Sequence, residues 1–177
     1  MQEKQYELKT ILASVFKGND NSLKKRIIYD NAVFGGLSNK WIILAFIILP
    51  FAMYAAIFNP TVFNELGIAQ AIVFYIILLV VAMQIVAIGS YFNNKKVVNT
   101  ATRSWEKYFP DIDFKMIISS GVTPYVDFKT HYAKALKDGL EGDALKKRLD
   151  EAFAQMEEEN SILVESIKRD RKKKEEK

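Results

Sequence analysis

The sequence has no cysteine and a single histidine, His131. Without a thiol there is no disulfide, no thiolate nucleophile and no sulfur-ligated metal, and one isolated imidazole does not assemble a zinc site. Glycine-rich phosphate loops and glycine-bounded serine nucleophiles are missing as well. Asp111 and Asp113 form the nearest approach to a paired-carboxylate motif, but they follow Pro110, where acids more often serve a turn than a proton transfer. Glu157-Glu158-Glu159 reads as a solvated face. These absences predict no cofactor, no metal and no enzymatic activity.

Charge is scarce in a second, more informative way. Trp41 to Phe58 and Gly67 to Phe92 contain no Lys, Arg, Asp, Glu or His. A helix needs about 20 apolar residues to cross a hydrocarbon core roughly 30 Å thick, and a backbone group left unpaired there is costly. Both runs have that length, so two transmembrane helices are predicted at 41–58 and 67–92. The second run has 26 residues. At about 1.5 Å each it reaches about 39 Å, which requires tilt or projection beyond the bilayer. The external loop 59–66 between the runs carries only Glu65, whereas Lys24, Lys25, Arg26 and Lys40 precede the first run and Lys95, Lys96 and Arg103 follow the second. Basic residues in short flanks stay cytoplasmic, which predicts both termini inside. No cleavable leader precedes Trp41, so the first span is expected to act as the targeting signal.

The net charge of +4 divides into +3 over residues 1–40, −1 over 41–92 and +2 over 93–177. A nucleic-acid binder needs a concentrated basic face with base-reading residues, and no such context surrounds the basic runs; no nucleic acid is expected as partner. Lys24, Lys25, Arg26, Lys95 and Lys96 are instead expected near anionic lipid headgroups.

Within residues 1–40, Leu8, Ile11, Leu12, Val15 and Phe16 follow the spacing of one helix face, and Ser22 is positioned to cap a second short helix carrying Leu23, Ile27 and Ile28. These helices are expected to lie at the membrane interface or on the C-terminal region. Pro50 predicts a kink in the first span, and Ala52, Ala55 and Ala56 predict close approach of a neighbouring helix, most simply within the hairpin. Gln70 and Gln84 share a face of the second span and are expected to contact another helix, with a pore lining as the alternative. The helical pattern continues as a stalk over 93–110 through Val97, Ala101, Trp105 and Phe109 to Pro110.

Residues 111–177 are expected to form a cytoplasmic helical domain. Ile112, Phe114, Met116 and Ile118 alternate as in a short strand, with a short helix or loop as alternatives, and Thr123-Pro124 predicts the start of a helix reaching Lys137. Leu149, Phe153, Met156, Asn160, Leu163 and Ile167 alternate by four and three, the seam of a coiled coil that pairs with a partner or another copy, or else folds back on its own domain. The fold expected is an all-α membrane protein: a transmembrane hairpin, N-terminal amphipathic helices and a C-terminal helical, coiled-coil region. The function expected is a scaffold or anchor subunit of a multiprotein assembly, such as a bacterial secretion or conjugation apparatus in the inner membrane. Its partners would be lipid and other protein subunits, or further copies. An oligomeric channel or membrane-permeabilising effector is the alternative.

Overall fold

The computed structural model describes residues 5–19 and 22–175. Among them the chain is mostly helical, with seven helices and one two-stranded antiparallel sheet. It forms two units that do not follow chain order: Ile28–Val97 is one, and Met1–Ile27 joins Val98–Lys177 in the other.

The first unit is a helical pair. Helix α2 (Asn39–Ile57) follows Ser38 and continues through Pro50, ending where the Phe58 N–H donates to the Tyr54 carbonyl at 2.9 Å. Asn59 then starts α3 (Pro60–Trp105): its Oδ1 accepts from the Val62 N–H at 3.0 Å, and Pro60 fills the first helical position, where a missing N–H costs nothing. Gly67 interrupts α3 at φ 71°, ψ 166°, a region essentially closed to residues with a side chain. The external loop expected at 59–66 is therefore a short helix of its own, and the long helix begins at Ile68. Both α2 and α3 are long and apolar enough to cross a membrane.

The second unit starts with α1 (Leu8–Val15), which buries Leu8, Ile11, Leu12 and Val15 on the predicted face. The short helix expected after Ser22 does not form. Strands β1 (Phe16–Asn19) and β2 (Ser22–Lys25) pair antiparallel, from Phe16 opposite Lys25 to Asn19 opposite Ser22. The ladder to β1 takes up the backbone of Ser22 to Lys25 that a helix after Ser22 would need. Four further helices follow the last turns of α3: α4 (Phe114–Ile118), α5 (Phe128–Lys137), α6 (Gly142–Glu159) and α7 (Ser161–Glu175). The strand considered for 112–118 is helical, because Asp113 caps it by accepting from the Lys115 N–H at 2.9 Å, and Phe114, Ile117 and Ile118 are buried at helical spacing. Thr123-Pro124 makes a turn, and α5 starts later than expected, at Phe128.

An aromatic cluster fills this unit. Phe153 of α6 lies parallel to Phe128 of α5, with ring centroids 5.6 Å apart, and edge-on to Phe109, Tyr125 and Trp105. Phe16 packs against Phe128 and Tyr132, tying β1 to α5. Trp105 is fully buried and donates its indole N–H to the Ile112 carbonyl at 2.8 Å, so its polar edge is satisfied inside the core. The segment 98–109 is thus no free stalk: Ala101, Trp105 and Phe109 are core residues.

Phe153→Ala removes the ring that four aromatic neighbours pack against and is expected to destabilise this unit by about 3–5 kcal/mol, against less than about 0.5 kcal/mol for exposed Glu158→Ala. Denaturant unfolding of the whole chain in detergent, followed by near-UV circular dichroism, measures the difference. Equal midpoints for the two variants would rule out this cluster as the core.

Candidate functional site

The candidate surfaces are those where exposed apolar or buried polar side chains gather. Among the described residues no group of three His, Cys, Asp or Glu is placed to hold a metal. His131 is half-buried with its Nδ1 shielded and unpaired, and no second ligand accompanies it. Asp113 is occupied as a helix cap. Tyr125 donates its hydroxyl to Glu157 at 2.7 Å, bridging the turn before α5 to α6.

The first unit presents two kinds of surface. Along α3 the less exposed residues Ala71, Tyr75, Leu79, Val86 and Ser90 fall on one side, and on α2 Ile42, Phe46, Leu49, Met53 and Ile57 do the same. The rings of Tyr54 and Phe58 on α2 meet Tyr75 of α3 edge-on, at 6.4 and 6.0 Å. The other sides are apolar and open: Phe51 is 73% exposed and Ile85 66%. Ala52, Ala55 and Ala56 lie on the exposed side of α2, not on the side expected for helix packing; Met53 and Ile57 share the phase of the less exposed face. Gln70 and Gln84 are exposed on α3. They point away from the hairpin's own contact.

At the other end of this unit, side-chain amides fasten the segment before α2 to α3. Asn31 donates to the Asn93 carboxamide oxygen, Asn93 donates to the Leu37 carbonyl at 3.3 Å, and Asn94 accepts from the Tyr29 N–H at 2.8 Å. Asn31 is 1% exposed. Gly36 makes this possible: a Cβ there would stand 2.7 Å from Asn31 Nδ2 and 3.2 Å from Asn93 Oδ1. Nothing in the sequence pattern marked this polar clasp except the density of Asn residues at 93 and 94. Burial pushes the Tyr29 phenol up from its ordinary range.

Of the basic residues expected at a membrane surface, two are committed elsewhere. Lys25 donates to the Ile118 carbonyl at 2.7 Å, and Arg26 Nε donates to the Ala13 and Phe16 carbonyls at 3.0 and 3.1 Å. Arg26 thereby caps the carboxyl end of α1, where a cation also complements the helix dipole. These are structural roles in the second unit. Lys24, Lys95 and Lys96 are exposed. A shallow groove of about 410 Å³ beside β2 and α5 is lined by Ser22, Leu23, Lys129, Thr130, Lys134 and Lys137.

The predicted seam divides at Asn160. Leu149, Phe153 and Met156 are buried in the core of their own unit, so these three offer nothing to a partner; the fold-back arrangement accounts for them. The apolar cover that the sequence did not reveal comes from α1, α5 and the aromatic cluster. Asn160 ends α6 and starts α7, its amide donating to the Met156 carbonyl at 2.9 Å and the Pro124 carbonyl at 3.2 Å. Leu163 and Ile167 lie half-buried on α7, and Ile167 helps to line a small cavity with Tyr125, Glu157 and Val164. Val122, Val126 and Ile162, 87%, 68% and 81% exposed, sit beside the junction that Asn160 ties together.

Burial holds the Tyr132 phenol well above its ordinary value, up to about 12. The folded state therefore keeps its proton where the unfolded chain loses it. The resulting stability is complete below pH 10 and is lost as pH rises toward 12, by up to about 3 kcal/mol. Tyr132→Phe is expected to flatten that part of the stability profile relative to the native chain, as measured by unfolding midpoints from pH 9 to 12; superimposable profiles would refute it. Comparison with protein-family models, with curated proteins and with solved structures gives no match.

Proposed function

We infer that this chain is a non-enzymatic membrane anchor, which holds a folded helical unit at the cytoplasmic face and presents it to other subunits. One observation carries the reading: residues before α2 and residues after α3 build a single core, while the two helices between them leave their apolar side chains open. A core such as the one joining Phe16, Phe128 and Tyr132 has no means of forming across a bilayer, so a chain that enters the membrane at α2 must return along α3. The basic residues on both flanks favour the cytoplasm as the shared side. Trp41 and Tyr91, 65% and 63% exposed, suit the role of interfacial aromatics at the ends of such spans. With half of the seam buried, docking of cytoplasmic subunits falls to exposed apolar side chains such as Val122, Val126 and Ile162. A bacterial inner membrane assembly, of the secretion or conjugation kind, is the setting the architecture suits.

The second reading, an oligomeric channel, draws on the exposed position of Gln84. It lacks an ionisable residue within the spans to select an ion.

Because the chain has no cysteine, topology is directly testable with single substitutions. Thr61→Cys is expected to react with an impermeant maleimide added to intact cells, and Glu7→Cys and Lys172→Cys only after the membrane is opened. Reaction of Glu7→Cys and Lys172→Cys from opposite sides, or release of the protein by carbonate, defeats the anchor. Purified protein in planar bilayers is expected to be silent; a conductance altered by Gln84→Leu would favour the channel.

A further inference from the structure

Gln84 is poorly explained by a helix that faces only lipid. At about 100° per residue counted from Gln70, the side of α3 that meets α2 centres about 150° away, at Ala71, Tyr75, Leu79 and Val86. Gln70, Ile77, Val81, Gln84 and Ile88 all lie within about 40° of the starting point, on the opposite side. Ile77, Val81 and Ile88 are 53%, 46% and 57% exposed. With 68–92 as the span, Gln84 stands about 6 Å from the midpoint along the axis and Gln70 about 15 Å. Gln70 can reach the headgroup boundary, whereas Gln84 is held within hydrocarbon, where an amide needs a partner.

We propose that α3 pairs in parallel with α3 of a second copy of this chain, through the face formed by Gln70, Ile77, Val81, Gln84 and Ile88. The inference rests on the membrane reading above. Three features select a second copy as the occupant. A carboxamide carries both donors and an acceptor, so two Gln84 side chains across a twofold axis can each give and receive a hydrogen bond. Insertion in one orientation sets Gln84 of every copy at the same depth, and Gln70 likewise, so a parallel pair brings both amides into register together. The order Gln70, Phe74, Ile77, Val81, Gln84, Ile88 alternates by four and three, the seam of a left-handed parallel pair, with the two amides at equivalent positions fourteen residues apart. A different partner would need a polar group at the depth of Gln84; a second copy supplies it by symmetry. A polar side chain at that seam position fixes register and strand number.

The test uses the full-length chain in native membranes, where the missing cysteines leave no background. Ile77→Cys, Val81→Cys and Ile88→Cys, on the face, are expected to form disulfide dimers on oxidation with copper phenanthroline. Exposed Ile76→Cys and Ala87→Cys, off the face, are expected to stay monomeric. Gln70→Leu combined with Gln84→Leu, which suits lipid and leaves the helix intact, is expected to weaken dimerisation in liposomes roughly tenfold, as read by energy transfer between labelled copies. Retained helicity by circular dichroism separates loss of pairing from loss of fold. Cross-linking that ignores the face, dimerisation unchanged by the double substitution, or ladders beyond the dimer overturn the pairing. A carbonate-resistant monomer defeats the pairing and leaves the anchor standing; a chain extracted by carbonate defeats both.

Discussion

Residues 8–19 and 22–25 form one short helix and one two-stranded ribbon, and neither can bury its apolar side chains by itself. Leu8, Ile11, Leu12, Val15 and Phe16 become core only because α5 and α6 are there to receive them. An isolated helix of eight residues is too short to persist in water, and a lone two-stranded ribbon is marginal, so the N-terminal segment depends on chain more than ninety residues away. Everything between the two partners is then a closed loop. If that loop enters hydrocarbon, it must leave on the side where it began.

The same closure explains where the polar groups are committed. Lys25 and Arg26 sit where the N-terminal hairpin meets helix ends, and their charges satisfy the carbonyls of Ile118, Ala13 and Phe16. Lys9 pairs with Glu141 just before α6 and draws that carboxyl below its ordinary range, although the pair is exposed and adds little to stability. In the other unit the work is done by neutral amides, Asn31, Asn93 and Asn94, which suit the base of an apolar hairpin because they bond backbone and one another without a charge to desolvate.

The long apolar helices were legible because composition alone identifies them, and α1 because its period is clean. What escaped notice depended on competition between local and distant partners. Ser22 is a sound helix cap, yet pairing with β1 gives a strand whose inward residue, Leu23, finds cover. Ile112 to Ile118 alternates like a strand but is also spaced like a helix, and Asp113 as cap decides the matter. The less exposed phase of α2 is hidden in the sequence for a different reason. Small size marked Ala52 and Ala56, whereas the less exposed face carries Met53 and Ile57 and the ring contacts to α3 are edge-on ones from Tyr54 and Phe58, and helices spaced by such side chains have no need of small residues.

Asn160 and Gln84 look alike in sequence, each a carboxamide in a four-three seam, and the difference between them is a matter of available carbonyls. Around Asn160 the helix has ended, so the Met156 carbonyl is open at the terminus and the turn at Pro124 offers a second; one amide fills both, and the seam becomes a break between two helices. Gln84 stands in the middle of an uninterrupted helix, where neighbouring carbonyls already accept from the backbone ladder and α2 lies on the far side. An amide placed there has to look outside its own hairpin. In water such a side chain is simply solvated, but in hydrocarbon its hydrogen bonds require another protein surface, and that requirement makes a polar residue on an apolar face a stronger statement about assembly than the apolar residues around it.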